Sequence, residues 1–217
     1  MTGLSVGGGR LGRVDDLTDP KTTLHHYLRE QRAGLLAKLD GLSEYDARRP
    51  LTASGTNLAG LVKHVASVQL DYLGEVFDRP HGRVLPWFAE GAEPEADLWL
   101  TPEETLASVR DLHAFSAAHA DATIAALPLD APGRVPWWRA GHDHVTLHRV
   151  LVHLVAETAR HAGHADILRE SLDGAMGNGP ADPNVPDRDT DGWSAHRARV
   201  EAAARAAGAA DGSAPSA

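Results

Sequence analysis

The sequence predicts an all-α protein, a four-helix bundle with long inter-helix loops and a short C-terminal helix. Four long segments carry apolar residues at the three- and four-residue spacing of a helix. Helix start and stop signals flank these segments, and the connections are rich in proline, glycine and aromatic residues without a sustained period. The chain of 217 residues is long enough for one domain with a substantial core.

Leucine and valine spacing predicts the first two helices, over about residues 19–41 and 57–77. The intervening segment contains Arg49-Pro50 and is predicted to be a loop. Candidate N-caps are Thr22 or Thr23 for the first helix and Ser54, Thr56 or Asn57 for the second. The periodic apolar positions are Leu24, Leu28, Leu35 and Leu39, then Leu58, Leu61, Val65, Val68, Tyr72 and Val76.

The third and fourth helices are predicted over about residues 101–126 and 146–172. Thr101-Pro102-Glu103-Glu104 combines an N-cap, a first-turn proline and acidic residues, which favours a helix start at Thr101. Asp173-Gly174 is a typical helix end. Long loops over 81–100 and 127–144 are expected to determine substrate choice.

The predicted organisation is a flexible N-terminal segment (1–18), the bundle (19–175), an extension with a short helix near 193–207 (176–207), and a disordered tail (208–217). A formal charge of −9, with lysine only at Lys21, Lys38 and Lys63, argues against nucleic-acid binding. We find neither a membrane span nor a signal peptide, so we expect a cytoplasmic protein without membrane contact, either monomer or homodimer. The absence of cysteine means that a metal site must use nitrogen and oxygen.

A candidate metal-ligand pair lies in the fourth helix, within LHRVLVHLVAETARHAGHADILRE (147–170). Glu157 and His161 are four residues apart, which places both side chains on one helical face. His64 occupies an inward position of the second helix and can supply a third ligand. Two imidazoles and one carboxylate suit zinc or another divalent first-row ion and leave positions open for substrate.

Other histidines of the fourth helix compete for this role. His148, His153 and His164 accompany His161, and spacing alone also permits His153 with Glu157, or His161 with His164, as the pair.

The strings GTNLAGLVKHVASVQ (55–69) and ETARHAGHADILRE (157–170) resemble the DinB-like superfamily, with its DinB/YfiT-like bundle. Over about residues 20–175 the chain is similar to the branch of mycothiol-dependent transferases and maleylpyruvate isomerase, in which glutamate occupies the first position of the pair. The resemblance implies that His64, Glu157 and His161 bind a divalent metal, zinc or alternatively nickel, iron or manganese. His153 and His164 then orient a ligand or water, or act as acid or base.

The resemblance also implies a reaction. A low-molecular-weight thiol, mycothiol as cosubstrate, binds the metal as thiolate and attacks an electrophilic small-molecule acceptor. Because the chain has no cysteine, the sulfur must come from this cosubstrate. Candidate contacts to anionic groups of thiol or acceptor are Arg160 and Arg169, with Arg134 or Arg139; candidate acceptor-pocket residues are Trp87, Trp99, Trp137 and Trp138.

Two alternatives stay open from the sequence. One is a metal-dependent hydrolase that activates water at the same site, with His153, His164, Gln69 or Asp71 as base. The other is a non-enzymatic metal- or small-molecule-binding bundle.

Overall fold

The four long predicted helices are present in the computed structural model, which describes residues 17–178, 182 and 184–211. The chain forms two compact units, 1–178 and 179–217. In the first unit, the described elements are α1 (Pro20–Ala37), α2 (Glu44–Arg48), α3 (Leu58–Leu73), α4 (Leu106–Ala126) and α5 (Leu147–Asp173), with 3-10 turns at Glu75–Phe77 and Pro86–Phe88. The strands β1 (Pro132–Arg134) and β2 (His144–Thr146) form an antiparallel pair in which Gly133 faces Val145. The all-α fold class is confirmed.

Side-chain contacts give the directions of the four long helices. Lys38, just after α1, pairs with Asp166 near the end of α5, so α1 and α5 are parallel. Arg79, beyond the end of α3, donates to Thr123 near the end of α4, so α3 and α4 are parallel to each other. Near its end α3 packs Tyr72 against His153, near the start of α5, which makes these two helices antiparallel.

Among the described residues, two large apolar clusters lie toward opposite ends of the bundle, and a smaller one joins α3 and α4 to Leu85. The first joins the C-terminal half of α3 to the N-terminal half of α5 and includes Leu73, Ile124 and Leu151. The second joins the opposite halves and includes Leu35, Leu61 and Ala165. Between the two clusters, α3 and α5 carry the polar residues of the candidate site.

Local capping explains most helix boundaries. Asn57, one of the three predicted caps, accepts a hydrogen bond from the Gly60 amide and starts α3. Thr146 caps α5, and Gly174 ends it with a φ of 80°, the left-handed conformation that favours glycine. The predicted cap of the first helix was wrong: Asp19 accepts from the Thr22 amide, so α1 begins at Pro20.

The predicted start of the third long helix was also wrong. The helix begins at Leu106, because Thr105 and Ser108 form a capping box by exchanging hydrogen bonds with each other's backbone amides. Glu104 does not continue a helix from Thr101; its carboxylate accepts from the Thr101 amide and binds the buried Lys63 ammonium.

Other differences concern segments between and beyond the long helices. The segment predicted as a loop after the first helix contains α2, which is capped by Ser43, and the loop 127–144 contributes β1 and part of β2. In the second unit, α6 spans Thr190–Asp211 and is longer at both ends than the predicted 193–207. The predicted flexible segment and tail fall largely on residues 1–16 and 212–217, which lie outside the described residues.

Candidate metal centre

Three side chains from two helices converge between α3 and α5. His64 of α3 and Glu157 and His161 of α5 each offer one ligand atom, and these atoms lie within 4.8 Å of one another. Glu157 Oε1 is 3.0 Å from His161 Nε2 and 3.6 Å from His64 Nε2. The two imidazole rings meet edge to face, with centroids 4.8 Å apart.

The antiparallel packing of α3 and α5 produces this convergence. Glu157 and His161 are one helical turn apart and share a face of α5, and α3 presents His64 to that face from the neighbouring helix. All three side chains are partly accessible, at 14–29% of their full exposure. The cluster therefore sits at the surface of the core, where a small molecule can reach it.

The charge states of the cluster suit cation binding. Burial tends to raise the pKa of Glu157, but the hydrogen bond and charge of His161 and His64 outweigh burial and lower it. Burial lowers the pKa of His161, with the charge of His64 acting in the same direction. At neutral pH the site therefore offers an ionised carboxylate and, at His161, a neutral imidazole, which are the forms that bind metals.

The donor set and its spacing fit a divalent cation. Ligands held at about 2.0–2.2 Å from one zinc ion lie no more than about 4.4 Å apart. The Glu157 oxygen meets this limit with both imidazoles, at 3.0 and 3.6 Å, and all three ligand atoms lie within 4.8 Å of one another. Three protein donors of nitrogen and oxygen, partly open to solvent, match the pattern of a catalytic rather than a structural zinc site.

Asp97 is a functional candidate that sequence reasoning missed. Its Oδ2 lies 2.5 Å from His64 Nδ1, so the imidazole donates to the carboxylate and turns Nε2 toward Glu157. Asp97 is only 9% exposed. Burial tends to raise its pKa, but the hydrogen bond and charge of His64 lower it overall, so the carboxylate is ionised. A carboxylate behind a ligating histidine is a common support of metal sites.

Lys63 holds the loop that carries Asp97. Its ammonium is buried and donates to the carbonyl oxygens of Ala96 and Trp99, at 3.0 and 2.9 Å. It also pairs with Glu104 at 2.9 Å and lies 4.1 Å from the centroid of the Trp87 ring. Lys63 therefore fixes backbone on both sides of Asp97, and through Asp97 the orientation of the adjacent His64.

Gly60 allows the same loop to approach α3 closely. A Cβ atom at this position would lie 1.8 Å from the Leu98 carbonyl oxygen, which no side chain permits. Asn57 donates from its amide to the same oxygen at 3.1 Å. The backbone after Asp97 is therefore in direct contact with α3.

A cavity of 510 Å³ opens beside His161 and His164. Its wall includes Leu61 of α3 and Trp99 of the long loop, and its rim carries polar residues of the segment before α3. The polar residues that line the cavity there are Arg48, Ser54, Thr56 and, more deeply buried, Asn57. His164 is exposed and packs edge-on against His161, with ring centroids 5.5 Å apart. The size lies within the usual range for small-molecule sites.

His153 lies on the opposite side of the cluster, among aromatic rings. Its ring is 4.9 Å from Tyr72 and 5.2 Å from Trp138, measured between centroids. Burial lowers the pKa of His153, so its imidazole is neutral at neutral pH. His153 and His164 thus occupy different sides of the cluster, and their roles stay predictions.

The arginines predicted to contact anionic groups of the thiol or acceptor lie in different parts of the fold. Arg169 binds Asp173 and donates to the Lys38 carbonyl, which ties α5 to the end of α1. Arg160 is exposed on α5, and neither arginine is among the residues that line the cavity beside His161. Arg134 pairs with Asp143, and Arg139 is exposed. A role for these arginines in binding anionic groups stays a prediction.

The four tryptophans predicted as acceptor-pocket residues lie in different surroundings. Trp87 donates to Ser67 and packs on Lys63, so it covers the core under the loop. Trp99 lines the cavity beside His161. Trp137 and Trp138 both donate to the Tyr72 hydroxyl, at 3.2 and 2.7 Å.

The fold and the cluster together define a class: a four-helix bundle with an open nitrogen and oxygen site between two antiparallel helices. Residues 23–174 match the family described as mycothiol-S-transferase. The chain therefore belongs to this family, within the DinB-like superfamily, and the match supports a function of the mycothiol S-transferase type. Among curated proteins, none matches the chain. Within the described residues, we find no helix that combines the length and apolar character needed to cross a membrane.

Proposed function

We propose that the protein is a metal-dependent S-transferase that uses mycothiol as its thiol cosubstrate and transfers it to an electrophilic small molecule. The observation that carries the proposal is the convergence of His64, Glu157 and His161 beside an accessible cavity, in a chain that belongs to the mycothiol-S-transferase family. Because the chain has no cysteine, a thiol reaction needs a sulfur from outside.

His64, Glu157 and His161 would hold the metal, with zinc as first choice and nickel, iron or manganese as alternatives. When bound, a divalent cation lowers the pKa of a coordinating thiol and so supplies a thiolate nucleophile at neutral pH. Asp97 keeps His64 in the tautomer that leaves Nε2 unprotonated, because Nδ1 carries the hydrogen that Asp97 accepts.

We place the thiol in the cavity of 510 Å³ beside His161. The hydroxyl groups of Ser54 and Thr56 at its rim suit a polar cosubstrate. His164, exposed at this opening, is the proposed acceptor of the thiol proton.

The transfer itself forms one carbon–sulfur bond. The thiolate sulfur attacks the electrophilic carbon, and either a leaving group departs with its electron pair or, at an activated double bond, the neighbouring carbon takes up a proton. His153 is the group proposed to donate or take up a proton in this step, because it lies on the other side of the cluster from His164 and its imidazole is neutral.

Metal analysis of the purified protein tests the ligand set. We expect about one equivalent of divalent metal in the wild type and a strong loss in the His64→Ala variant. His148→Ala, which removes an exposed histidine at the start of α5, is the matched control and should keep its metal. Full metal content in His64→Ala would refute the ligand assignment.

Incubation of metal-loaded protein with mycothiol and monobromobimane tests the reaction. The expected product is the mycothiol–bimane thioether with release of bromide, formed faster than without protein and lost after chelation of the metal. Glutathione and cysteine in place of mycothiol test the choice of thiol. Absence of metal-dependent conjugate across several acceptors would refute the transferase and leave the hydrolase or binding protein.

The hydrolase has less support in the structure. Of its candidate bases, Gln69 is buried and bonded to Arg32 and Ser116, away from solvent. Asp71 lines a different cavity. His164 and His153 remain as bases, and both also serve the transferase.

A further inference from the structure

A second cavity, of 240 Å³, lies further along α3 on the side of His153. Val68, Asp71 and Tyr72 of α3 form one wall; Phe88 and Trp137, one from each long loop, form the other. Val68 is one turn beyond His64, and Asp71 is seven residues beyond it, about 10 Å along the helix axis. Along α3, the candidate metal site therefore has the cavity lined by Leu61 on one side and this second cavity, which begins at Val68, on the other.

The Asp71 carboxylate in this cavity is poorly compensated. Its side chain is 27% exposed, and the histidine nitrogen that lies near it, His81 Nε2, is 3.7 Å away, too far for a hydrogen bond. Among the described contacts, no donor gives a hydrogen bond to this carboxylate. Burial, with the nearby charge of Glu75, raises the pKa of Asp71 to about 6. The group is therefore mostly ionised at neutral pH, and a cation placed in the cavity would stabilise it.

Aromatic side chains also line the cavity, and Trp137 is held in place by Tyr72. The Tyr72 oxygen accepts the indole N–H of Trp137 at 3.2 Å, and the two rings meet edge to face with centroids 5.2 Å apart. Trp137 and Phe88 are 50% and 42% exposed, so a ligand can reach both side chains. Aromatic faces around a carboxylate are the usual surroundings of bound organic ammonium groups.

We propose that this cavity is the acceptor subsite and that it selects electrophiles carrying an organic ammonium group, which lies between Asp71 and the exposed rings of Phe88 and Trp137. The inference rests on the proposed transferase function, of which it names the acceptor class. With the ammonium group at Asp71, the electrophilic carbon lies about 10 Å away, near His64. The thiol then approaches from the cavity on the opposite side of the cluster.

Binding of choline to the full-length protein tests the subsite without thiol or turnover. Its neutral isostere 3,3-dimethylbutan-1-ol has the same shape and no charge. We expect choline to quench tryptophan fluorescence with saturation in the millimolar range and to shift the Trp137 indole N–H signal, and the isostere to bind at least about tenfold more weakly. Equal binding of both compounds, or of neither, would overturn the proposal.

Two substitutions distinguish the effect of the Asp71 carboxylate on choline binding from the effect of the protein's overall negative charge. Asp71→Asn preserves shape and should weaken choline binding about tenfold or more, whereas Asp111→Asn, which removes an exposed aspartate on α4, should leave it unchanged. Trp137→Leu removes one aromatic face and should also weaken binding, which keeps the test valid if Asp71→Asn does not fold. Choline binding unaffected by both pocket substitutions refutes the subsite.

A conjugation assay distinguishes the failure of this inference from failure of the proposed function. A bromoacetamide with a trimethylammonium group about 10 Å from its reactive carbon is compared with its neutral analogue; in both, the thiolate displaces bromide. The wild type should prefer the cationic compound in kcat/KM, and Asp71→Asn should lose this preference. Equal use of both compounds refutes the subsite alone, and absence of any conjugation refutes the transferase.

Discussion

Replacement of Asp97 tests whether the loop carboxylate supports the metal site. Asp97→Asn removes the negative charge 2.5 Å from His64 Nδ1 but leaves an oxygen that can still accept a hydrogen bond. Asp97→Ala removes the acceptor as well, so the His64 ring loses the partner that fixes its orientation and tautomer.

The expected effect is on metal affinity. Loss of the partner behind a ligating histidine weakens metal binding by about 10- to 100-fold, equal to about 1.4–2.7 kcal/mol. Because the asparagine retains an acceptor, we expect Asp97→Asn near the lower limit and Asp97→Ala near the upper one. The nearly complete burial of Asp97 prevents water from replacing the lost acceptor easily.

Competition with a chromophoric zinc chelator measures this change in the dissociation constant. Glu93→Gln, an exposed acid in the same loop, is the control and should bind metal as the wild type does. Urea unfolding of the metal-free variants shows separately how far the fold is weakened. If both Asp97 variants fold and bind zinc with wild-type affinity, the reasoning about Asp97 is refuted.

Three further predictions concern the free energy of unfolding of the metal-free protein in urea. Lys63→Met should lower the free energy of unfolding by about 3–5 kcal/mol because Glu104 loses its buried cation. The double variant Lys63→Met/Glu104→Gln should lose less than the sum of the losses of the two single variants. Burial, then the Arg32 charge, lowers the pKa of His113 from 6.5 to about 4. The contribution of neutral His113 to the free energy of unfolding is complete above pH 6.5 and is lost toward pH 4, since only the unfolded chain binds the proton between these values. Between about pH 7.5 and pH 5, the free energy of unfolding of His113→Gln should therefore fall by about 2 kcal/mol less than that of the wild type. Thr105→Ala should cost about 1 kcal/mol by removing the capping box of α4, whereas Thr101→Ala should cost less than about 0.5 kcal/mol.

Each of these predictions has an outcome that contradicts it. Additive losses for Lys63→Met and Glu104→Gln would mean that the two groups do not interact. An identical pH dependence in His113→Gln would show that this imidazole does not resist protonation in the folded state. A larger loss of unfolding free energy for Thr101→Ala than for Thr105→Ala would support a helix start at Thr101 and contradict the start at Leu106.

Helix boundaries show where sequence reasoning succeeds and where it fails. The boundaries of α5 were predicted within one residue, because the Thr146 cap and the left-handed Gly174 act on their own neighbours. The start of α4 was not, because Thr101 and Thr105 are both plausible caps. In the structure Thr105 forms the capping box with Ser108, while Glu104 binds Lys63, which is distant in sequence.

The candidate site likewise has features that follow from the sequence and features that depend on tertiary packing. Glu157 and His161 are one turn apart on a single helix, so their proximity follows from the sequence. His64 could be placed on an inner face, but its partner could not be chosen among the histidines of α5 by spacing. The antiparallel packing of α3 and α5 brings His64 to Glu157 and His161 while His153 meets the ring of Tyr72.

The sequence by itself determined the helical fold class, the family resemblance, the two candidate ligands on one helix and the absence of a cysteine sulfur in the chain. These properties depend on local periodicity, on short motifs or on composition. Only the tertiary structure decided that Asp97 supports His64, that Lys63 holds its loop, and that a cavity lies on each side of the cluster. Those features depend on loops without periodicity, whose positions are set by single buried polar contacts between residues more than 30 positions apart.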